Sequence, residues 1–311
     1  MSDGAKGGSA AAGIAALAVV QVCFGLFPVA GRLAMDPETG FEPFAVATWR
    51  IAVGAAVLLA LAWRLHPAAF LPRRGDWGRL FGLALLGIVL NQGLFLVGLE
   101  RSTPMNAGLV ICLIPVFSYI AAVVLRTERF SGRRAIGVAV AVAGAVPLFL
   151  SRGGDLSADH AIGNGLMALN ALCYSFYLVW SKPILRRMPP LVLVAWVYAL
   201  SVPWLPLFAA GTDLVPEAAP TAWWSLAYVL VFPTILAYAL NSFALARVDA
   251  STTAFFVFTQ PIITAVASYF VIGERPTRAL FVAGVGLLVG MALVLSRPTG
   301  GAPRPARVGG R

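Results

Sequence analysis

Long apolar segments alternate with short polar connections along the whole chain. Each segment has about 20 residues, enough to cross roughly 30 Å of hydrocarbon at about 1.5 Å per helical residue. The pattern therefore predicts ten transmembrane helices and no large soluble domain. The apolar segments cover residues 11–34, 44–63, 80–99, 104–125, 135–150, 163–180, 191–210, 222–246, 250–272 and 280–295.

Composition supports a membrane protein and excludes an ordinary soluble one. Hydrophobic residues make up 59% of the 311 positions, charged residues 12%, and the mean hydropathy is +0.85. The first apolar segment is too long for a typical signal-peptide core and lacks a convincing cleavage site, so we expect a retained helix. We expect residues 1–10 and the basic tail 298–311 to be disordered.

The distribution of Lys and Arg predicts an orientation. With ten helices and the N-terminus inside, 17 Lys or Arg residues fall on the inner side and five on the outer side. This bias places both termini in the cytoplasm, with the protein in the inner (cytoplasmic) membrane. The net charge of +10 could also suggest nucleic acid. We expect no nucleic-acid partner, because the basic residues occupy short turns and a tail without interleaved aromatic residues.

The chain contains an internal repeat with an offset of 146 residues. This offset aligns Pro115 with Pro261, Glu128 with Glu274, and Gly144 with Gly290, and a nearby offset aligns Trp49 with Trp196. Each half then holds five helices, residues 11–152 and 153–297. Because five is odd, the second half must enter the membrane inverted. The predicted fold class is an all-α integral membrane protein of ten helices in two inverted five-helix repeats.

The repeated segments resemble a known family. "PVFSYIAAVVLRTER" precedes the Gly-rich "IGVAVAVAGAVPLFL", and "PIITAVASYFVIGER" precedes "FVAGVGLLVGMALVL". The chain resembles drug/metabolite transporter superfamily proteins with two EamA domains, over residues 11–296. The resemblance implies a ten-helix exporter of small metabolites, with a central cavity formed mainly by helices 1, 3, 4, 6, 8 and 9.

Polar side chains within these helices are candidates for that cavity. Amides and hydroxyls inside a membrane helix need partners across a helix interface or in a water-filled cavity. Several recur at helical spacing, which gives each helix one polar stripe. The alternative for any single amide is a hydrogen bond that joins two helices. The substrate-cavity candidates are Asn91, Gln92, Asn106, Asn170, Tyr174, Tyr177, Tyr238, Asn241, Thr253 and Gln260.

Five further residues are candidates for gating or structural roles. Pro115 and Pro261 remove a backbone donor inside helices 4 and 9, so both helices should bend, either as fixed packing features or as hinges. Arg50 lies inside helix 2, where it must reach water or a partner; we favour a structural or gating role over contact with an anionic substrate. Glu128 and Glu274, beside arginines, should fix turns through local salt bridges or hydrogen bonds.

The sequence predicts a secondary transporter, an exporter or exchanger, and no enzyme. No Asp or Glu lies deep in a predicted helix, and we find no metal cluster, nucleotide-binding loop or catalytic set. We expect no cofactor and no metal, and as partners a small-molecule substrate and the lipid bilayer. Amino acids and related amines are the leading substrates, as the resemblance suggests. A non-transporting scaffold or accessory subunit is the alternative, and a homodimer remains open.

Overall fold

The computed structural model describes residues 3–150, 158–245, 247, 256–257 and 259–295. Side chains are described for all of these except residues 3–10, 148–150, 158–159 and 245. This part of the chain is helical and contains no strand. In chain order the helices are α1 (Asp3–Ala34), α2 (Pro43–Leu65), α3 (Arg74–Glu100), α4 (Pro104–Val124), α5 (Gly132–Leu150), α6 (Ala158–Leu185), α7 (Pro190–Ala209), α8 (Pro220–Ala244), α9 (Thr259–Ile272) and α10 (Arg278–Leu295).

Eight of these helices are long and apolar enough to cross a membrane, so the chain is a multi-pass membrane protein. The other two are α5 and the shorter α9, and ten spans therefore remain a prediction. One expectation differs from the structure. Helix α1 begins at Asp3, whereas residues 1–10 were expected to be disordered. Residues 3–10 hold three Gly and two Ala, so they are weak helix formers on their own, and they continue the helix of the Ala-rich residues 11–18. The basic tail lies outside the described residues.

Proline starts four of the helices. Pro43, Pro104, Pro190 and Pro220 each occupy the first turn of their helix, where a backbone N–H has no intrahelical acceptor. Before Pro104, the Thr103 hydroxyl accepts a hydrogen bond from the backbone N–H of residue 106 at 3.2 Å. These residues fix where α2, α4, α7 and α8 begin.

Several helices depart from regular α geometry. Residues Leu85–Val89 of α3, Leu230–Leu236 of α8 and Ser268–Ile272 of α9 are π-helical. The first two segments fall at matching positions of the repeat. Helix α4 is interrupted at residues 111–112, where the Ile111 carbonyl accepts a hydrogen bond from the Ile114 N–H at 3.0 Å. Pro115, four residues after Ile111, has no N–H to donate to that carbonyl.

Helices α5 and α10 approach each other closely along glycines. A Cβ atom on Gly144 would lie 2.6 Å from the backbone of Gly286, and one on Gly290 would lie 2.4 Å from the backbone of Ala141. Only residues without a side chain permit this distance, which brings the two backbones into van der Waals contact. The contact joins the last helix of the first half to the last helix of the second.

Loops from the two halves meet at two ends of the helix bundle. At the first end, the Ala219 N–H donates to the Thr39 carbonyl at 2.8 Å, and the Met105 N–H donates to Glu274 Oε2 at 3.2 Å. At the second end, Arg187 forms an ion pair with Asp76. Each end therefore combines loops from both halves.

Two tryptophans make matching contacts at these ends. Trp49 of α2 donates from Nε1 to the Leu214 carbonyl at 2.8 Å, in the loop that follows α7. Trp196 of α7 donates from Nε1 to the Phe70 carbonyl at 2.7 Å, in the loop that follows α2. The second helix of the first half, α2, thus donates to the loop after α7, and the second helix of the second half, α7, donates to the loop after α2.

Candidate functional site

Arg50 lies inside α2 with its side chain buried, 5% exposed. Its Nε donates a hydrogen bond at 3.0 Å to the hydroxyl of Thr234, in the π-helical segment of α8. The guanidinium lies 4.3 Å from the centre of the Phe27 ring of α1, close enough for a cation–π interaction. Among the described residues, no carboxylate lies within 4.0 Å of it. Arg50 therefore joins three helices while its charge has no ionic partner there.

Two tyrosines and a glutamine continue the site from Arg50. Tyr198 of α7 is fully buried, and its ring packs edge-to-face on Tyr238 of α8, with 5.9 Å between the ring centres. Both tyrosines lie near the Arg50 guanidinium. Gln92 of α3 donates from Nε2 to the Tyr198 hydroxyl oxygen at 3.3 Å. The Oε1 atom of Gln92 is buried without a hydrogen-bond partner in the described part of the chain.

Helix α6 adds two stacked tyrosine rings. Tyr174 and Tyr177 lie 5.5 Å apart between ring centres, and both lie near Tyr238. Tyr177 packs against Gly87 in the π-helical segment of α3, where an added Cβ would lie 2.4 Å from the ring. We call the following set the central cluster: Phe27, Arg50, Gln92, Tyr174, Tyr177, Tyr198, Thr234 and Tyr238.

The polar side chains of α9 form hydrogen bonds to α1 and are not part of the central cluster. Gln260 Nε2 donates to Gln21 Oε1 at 2.5 Å, and both side chains are buried. One turn further along α9, the Thr264 hydroxyl donates to the Gly25 carbonyl at 2.6 Å. These hydrogen bonds join two helices, which is the alternative that the sequence left open for single amides. Thr253 lies outside the described residues.

Two of the remaining candidate amides, Asn170 and Asn106, also take part in contacts between helices. Asn170 of α6 donates from Nδ2 to the Asn91 carbonyl of α3 at 2.6 Å. Asn106 donates to the Ser102 hydroxyl at 3.3 Å, and that hydroxyl donates to Asn164 of α6 at 2.6 Å. The Asn91 side chain is half-buried, as is Asn241 of α8. The structure therefore brings Gln92 and three tyrosines together in the central cluster, and not the asparagines.

The remaining candidates lie at helix ends or at bends. Glu128 is paired with Arg134 at 2.6 Å and lies 3.9 Å from Lys182. Glu274 reaches into the first half, to the backbone at Met105 described above, instead of fixing only its own turn. Pro261 is buried in the first turns of α9; the region before it includes residues outside the described ranges.

Sequence reasoning missed three buried residues of this interior. Tyr198 was overlooked because the repeat aligns its neighbour Val197 with Arg50, which drew attention to a missing charge. Phe27 was one apolar residue among many. Gln21 is an amide inside an apolar helix, and the criterion that selected Gln92 and Gln260 would have selected it too.

A second feature is an apolar groove outside the central cluster. It has a volume of about 480 Å³ between α1 and α8, near the first end, and its lining includes Leu26, Val29, Trp224 and Tyr228. The Tyr228 hydroxyl donates to the Cys23 carbonyl at 3.3 Å.

Among the described residues, no group of three or more His, Cys, Asp or Glu side chains could hold a metal. The central cluster offers one cation, hydroxyls, an amide and aromatic rings, which suit binding of a small molecule.

Comparisons with known proteins follow the two halves. Residues 11–150 and 161–296 each match the EamA-like transporter family. An uncharacterized transporter of Archaeoglobus fulgidus is 25% identical over 82% of this chain and 89% of its own length. A protein named "Probable terminal-alkyne amino-acid exporter" from Streptantibioticus cattleyicolor is 26% identical over 74% of this chain and 75% of its own length.

More distant similarities reach plants and a solved structure. The WAT1-related protein At5g40210 of Arabidopsis thaliana is 24% identical over 82% of this chain and 80% of its own length. One solved crystal structure superposes with a TM-score of 0.62 at 18% identity, covering 93% of this chain and 96% of the other. That likeness concerns the fold alone.

Proposed function

Because the chain belongs to the EamA-like transporter family, we propose that it is a secondary transporter that exports or exchanges small metabolites by alternating access. Amino acids and related amines are the leading substrate class. The observation that carries the proposal is the central cluster, in which helices of both halves surround one buried cation and several neutral polar groups. A substrate site between the halves of an internal repeat is the common plan of secondary transporters.

The proposed architecture is ten spans in two inverted repeats, with both termini in the cytoplasm. Loop contacts support it. Trp49 lies near the start of α2 and Trp196 in the first half of α7, yet their acceptor loops lie at opposite ends of the bundle. Matched helices that run in opposite directions would produce this arrangement. The Lys and Arg bias supports the second end as the cytoplasmic one.

Alternating access requires that each end can open while the other stays closed. The paired tryptophan contacts support this, because each adds one side-chain hydrogen bond between the halves at one end, beside the loop contacts described above. The interruption of α4 before Pro115 and the π-helical segments beside the central cluster offer places where helices can bend. We therefore propose that Pro115 and the matched Pro261 act as hinges.

The substrate class rests on the groups in the cluster and on one relative. Hydroxyls, an amide and aromatic rings suit a small polar or zwitterionic compound with an apolar part. The Streptantibioticus cattleyicolor protein is named as an amino-acid exporter. A non-transporting scaffold remains the second candidate, although no specific contact in the structure favours it.

The test is a thermal-shift screen of the purified protein against amino acids, amines, nucleosides and sugars, followed by counterflow in proteoliposomes. Transport predicts a compound that raises the melting temperature and also exchanges across the membrane. Tyr238→Ala should weaken both effects, and Tyr228→Ala in the groove should weaken neither. A folded protein with no stabilising compound and no exchange would favour the scaffold.

A further inference from the structure

The charge of Arg50 is buried, and among the described residues no carboxylate lies within 4.0 Å of it. Phe27 contributes a ring face and Thr234 one hydroxyl oxygen. The acidic residues with described side chains all lie in loops or at helix ends, such as Glu42 before α2 and Glu100 at the end of α3. A guanidinium inside the membrane without a counter-charge is costly, and proteins normally supply one.

The geometry leaves the strongest donors of Arg50 unused. A guanidinium has five N–H donors, and its two terminal nitrogens form the fork that binds a carboxylate through two parallel hydrogen bonds. Only Nε has a hydrogen-bond acceptor among the described residues, at Thr234. This bond also orients the planar group, since Thr234 is itself held by its hydrogen bond to the Val229 carbonyl at 2.7 Å.

In the same cluster, Gln92 has an acceptor atom without a donor among the described residues, whereas Arg50 has donors without acceptors there. Its Nε2 is used by Tyr198, while Oε1 is a buried acceptor without a donor in the described chain. A buried carbonyl oxygen that is left unpaired loses its hydrogen bonds to water without replacement, which is unfavourable. The cluster thus has an unused cationic fork at Arg50 and an unused acceptor at Gln92, joined through Tyr198.

We propose that Arg50 binds a carboxylate group of the substrate, and that Gln92 Oε1 accepts a hydrogen bond from a donor group, such as an ammonium, on the same molecule. This inference rests on the proposed function and narrows its substrates to compounds that carry a carboxylate. It changes the role expected for Arg50 from gating to substrate binding. Simple amines without a carboxylate would then be poor ligands.

The experiment compares matched ligands that differ in one group. Purified protein in detergent is titrated with L-leucine, L-phenylalanine and L-threonine, with the amide of each, and with the corresponding acids that lack the amino group. Phenylacetate and phenylacetamide form a further pair. Binding is measured by thermal shift and calorimetry, and counterflow of the same amino acids is measured separately in proteoliposomes.

The expected result is that at least one carboxylate binds the wild-type protein about 10- to 100-fold more tightly than its amide. Arg50→Gln should abolish that preference and leave the affinity of the amide within about threefold, whereas Gln92→Met should instead reduce the advantage of the amino acid over its deaminated analogue. Arg64→Gln, an exposed arginine on the same helix, is the matched control and should change neither ratio.

Other outcomes separate the inference from the proposed function. Equal affinities for carboxylates and amides, or no binding of any carboxylate, would overturn the inference even if other compounds are transported. Carboxylate-selective binding without counterflow would support the inference and contradict transport. If Arg50→Gln does not fold, Arg50→Lys and Thr234→Val decide. The first keeps the charge but loses the fork, so its preference should shrink, and the second should retain a preference of at least about tenfold.

Discussion

Two regions of the helix bundle are packed in opposite ways. One is the contact between α5 and α10, and the other is the central cluster. Along α5 and α10, glycines remove side chains until the backbones touch, and Gly144 and Gly286 have no spare volume between them. In the central cluster, large rings and a guanidinium fill the space between the helices. Among the described residues, only Nε of Arg50 has a hydrogen-bond acceptor, and Oε1 of Gln92 has no donor. We therefore expect the two halves to be joined rigidly at their last helices, and we expect binding and movement where α1, α2, α3, α6, α7 and α8 meet.

The largest expected effect comes from a substitution in the contact between α5 and α10. Gly144→Ala places a methyl group 2.6 Å from the backbone of Gly286, which cannot rotate away as a flexible side chain could. We expect a loss of stability of about 1 to 3 kcal/mol, measured by thermal unfolding in detergent. Gly165→Ala, in α6 with nothing within 4 Å of the added Cβ, is the control. Equal melting temperatures for the two variants would contradict the rigid contact.

The next effect tests the cluster itself. Gly87→Ala would bring a methyl group 2.4 Å from the Tyr177 ring, so the ring must shift within the proposed substrate site. Counterflow should fall about tenfold, because displacement of a binding group is felt strongly by the bound substrate. Gly82→Ala, which meets Trp180 at 2.5 Å outside the cluster, should lower the melting temperature without a comparable loss of flux. Equal loss of flux in both would refute a special role for the cluster.

A smaller effect separates the two ends. Trp49→Phe and Trp196→Phe each remove one hydrogen bond to the opposite half, worth about 1 kcal/mol. We expect Trp49→Phe to increase labelling of a Tyr174→Cys probe from the first end, and Trp196→Phe to increase labelling from the second end. The background lacks the three native cysteines, which are buried and free of disulfides. If both variants raised labelling from one end only, the gating proposal would fail.

The smallest expected effect is the pH dependence of stability that Glu274 causes. Unlike Arg50, this charged residue has several hydrogen-bond partners. Burial raises the pKa of the Glu274 carboxyl above its usual range, and hydrogen bonds from Thr103 and the Met105 N–H partly oppose this. A raised pKa means that the folded state binds the proton more tightly, so the wild-type protein should gain stability relative to Glu274→Gln as pH falls through that pKa. Melting temperatures of both proteins from pH 7 to pH 4 test this. A constant difference would contradict it.

Apolar runs predicted the helices well because the hydrocarbon thickness fixes their length. The starts of α2, α4, α7 and α8 lie within a few residues of the predictions. Sequence could not show the π-helical segments, since one extra residue per turn leaves the apolar pattern almost unchanged. It singled out Gln92 and Tyr238 as cavity candidates and Arg50 as a gating or structural candidate, and all three lie in the central cluster; their roles stay predictions. It could not show that Gln260 binds Gln21, because partner choice depends on which helices are neighbours.

The two tryptophan hydrogen bonds also become possible at different times during synthesis of the chain. The acceptor of Trp49 lies 165 residues later in the chain, whereas the acceptor of Trp196 lies 126 residues earlier. At about 5 to 20 residues per second, the Trp49 indole waits roughly 8 to 33 s for its partner, while Trp196 finds its own already made. The first half is therefore complete before the acceptor of Trp49 exists, and during that interval the Trp49 indole lacks this hydrogen bond between the halves.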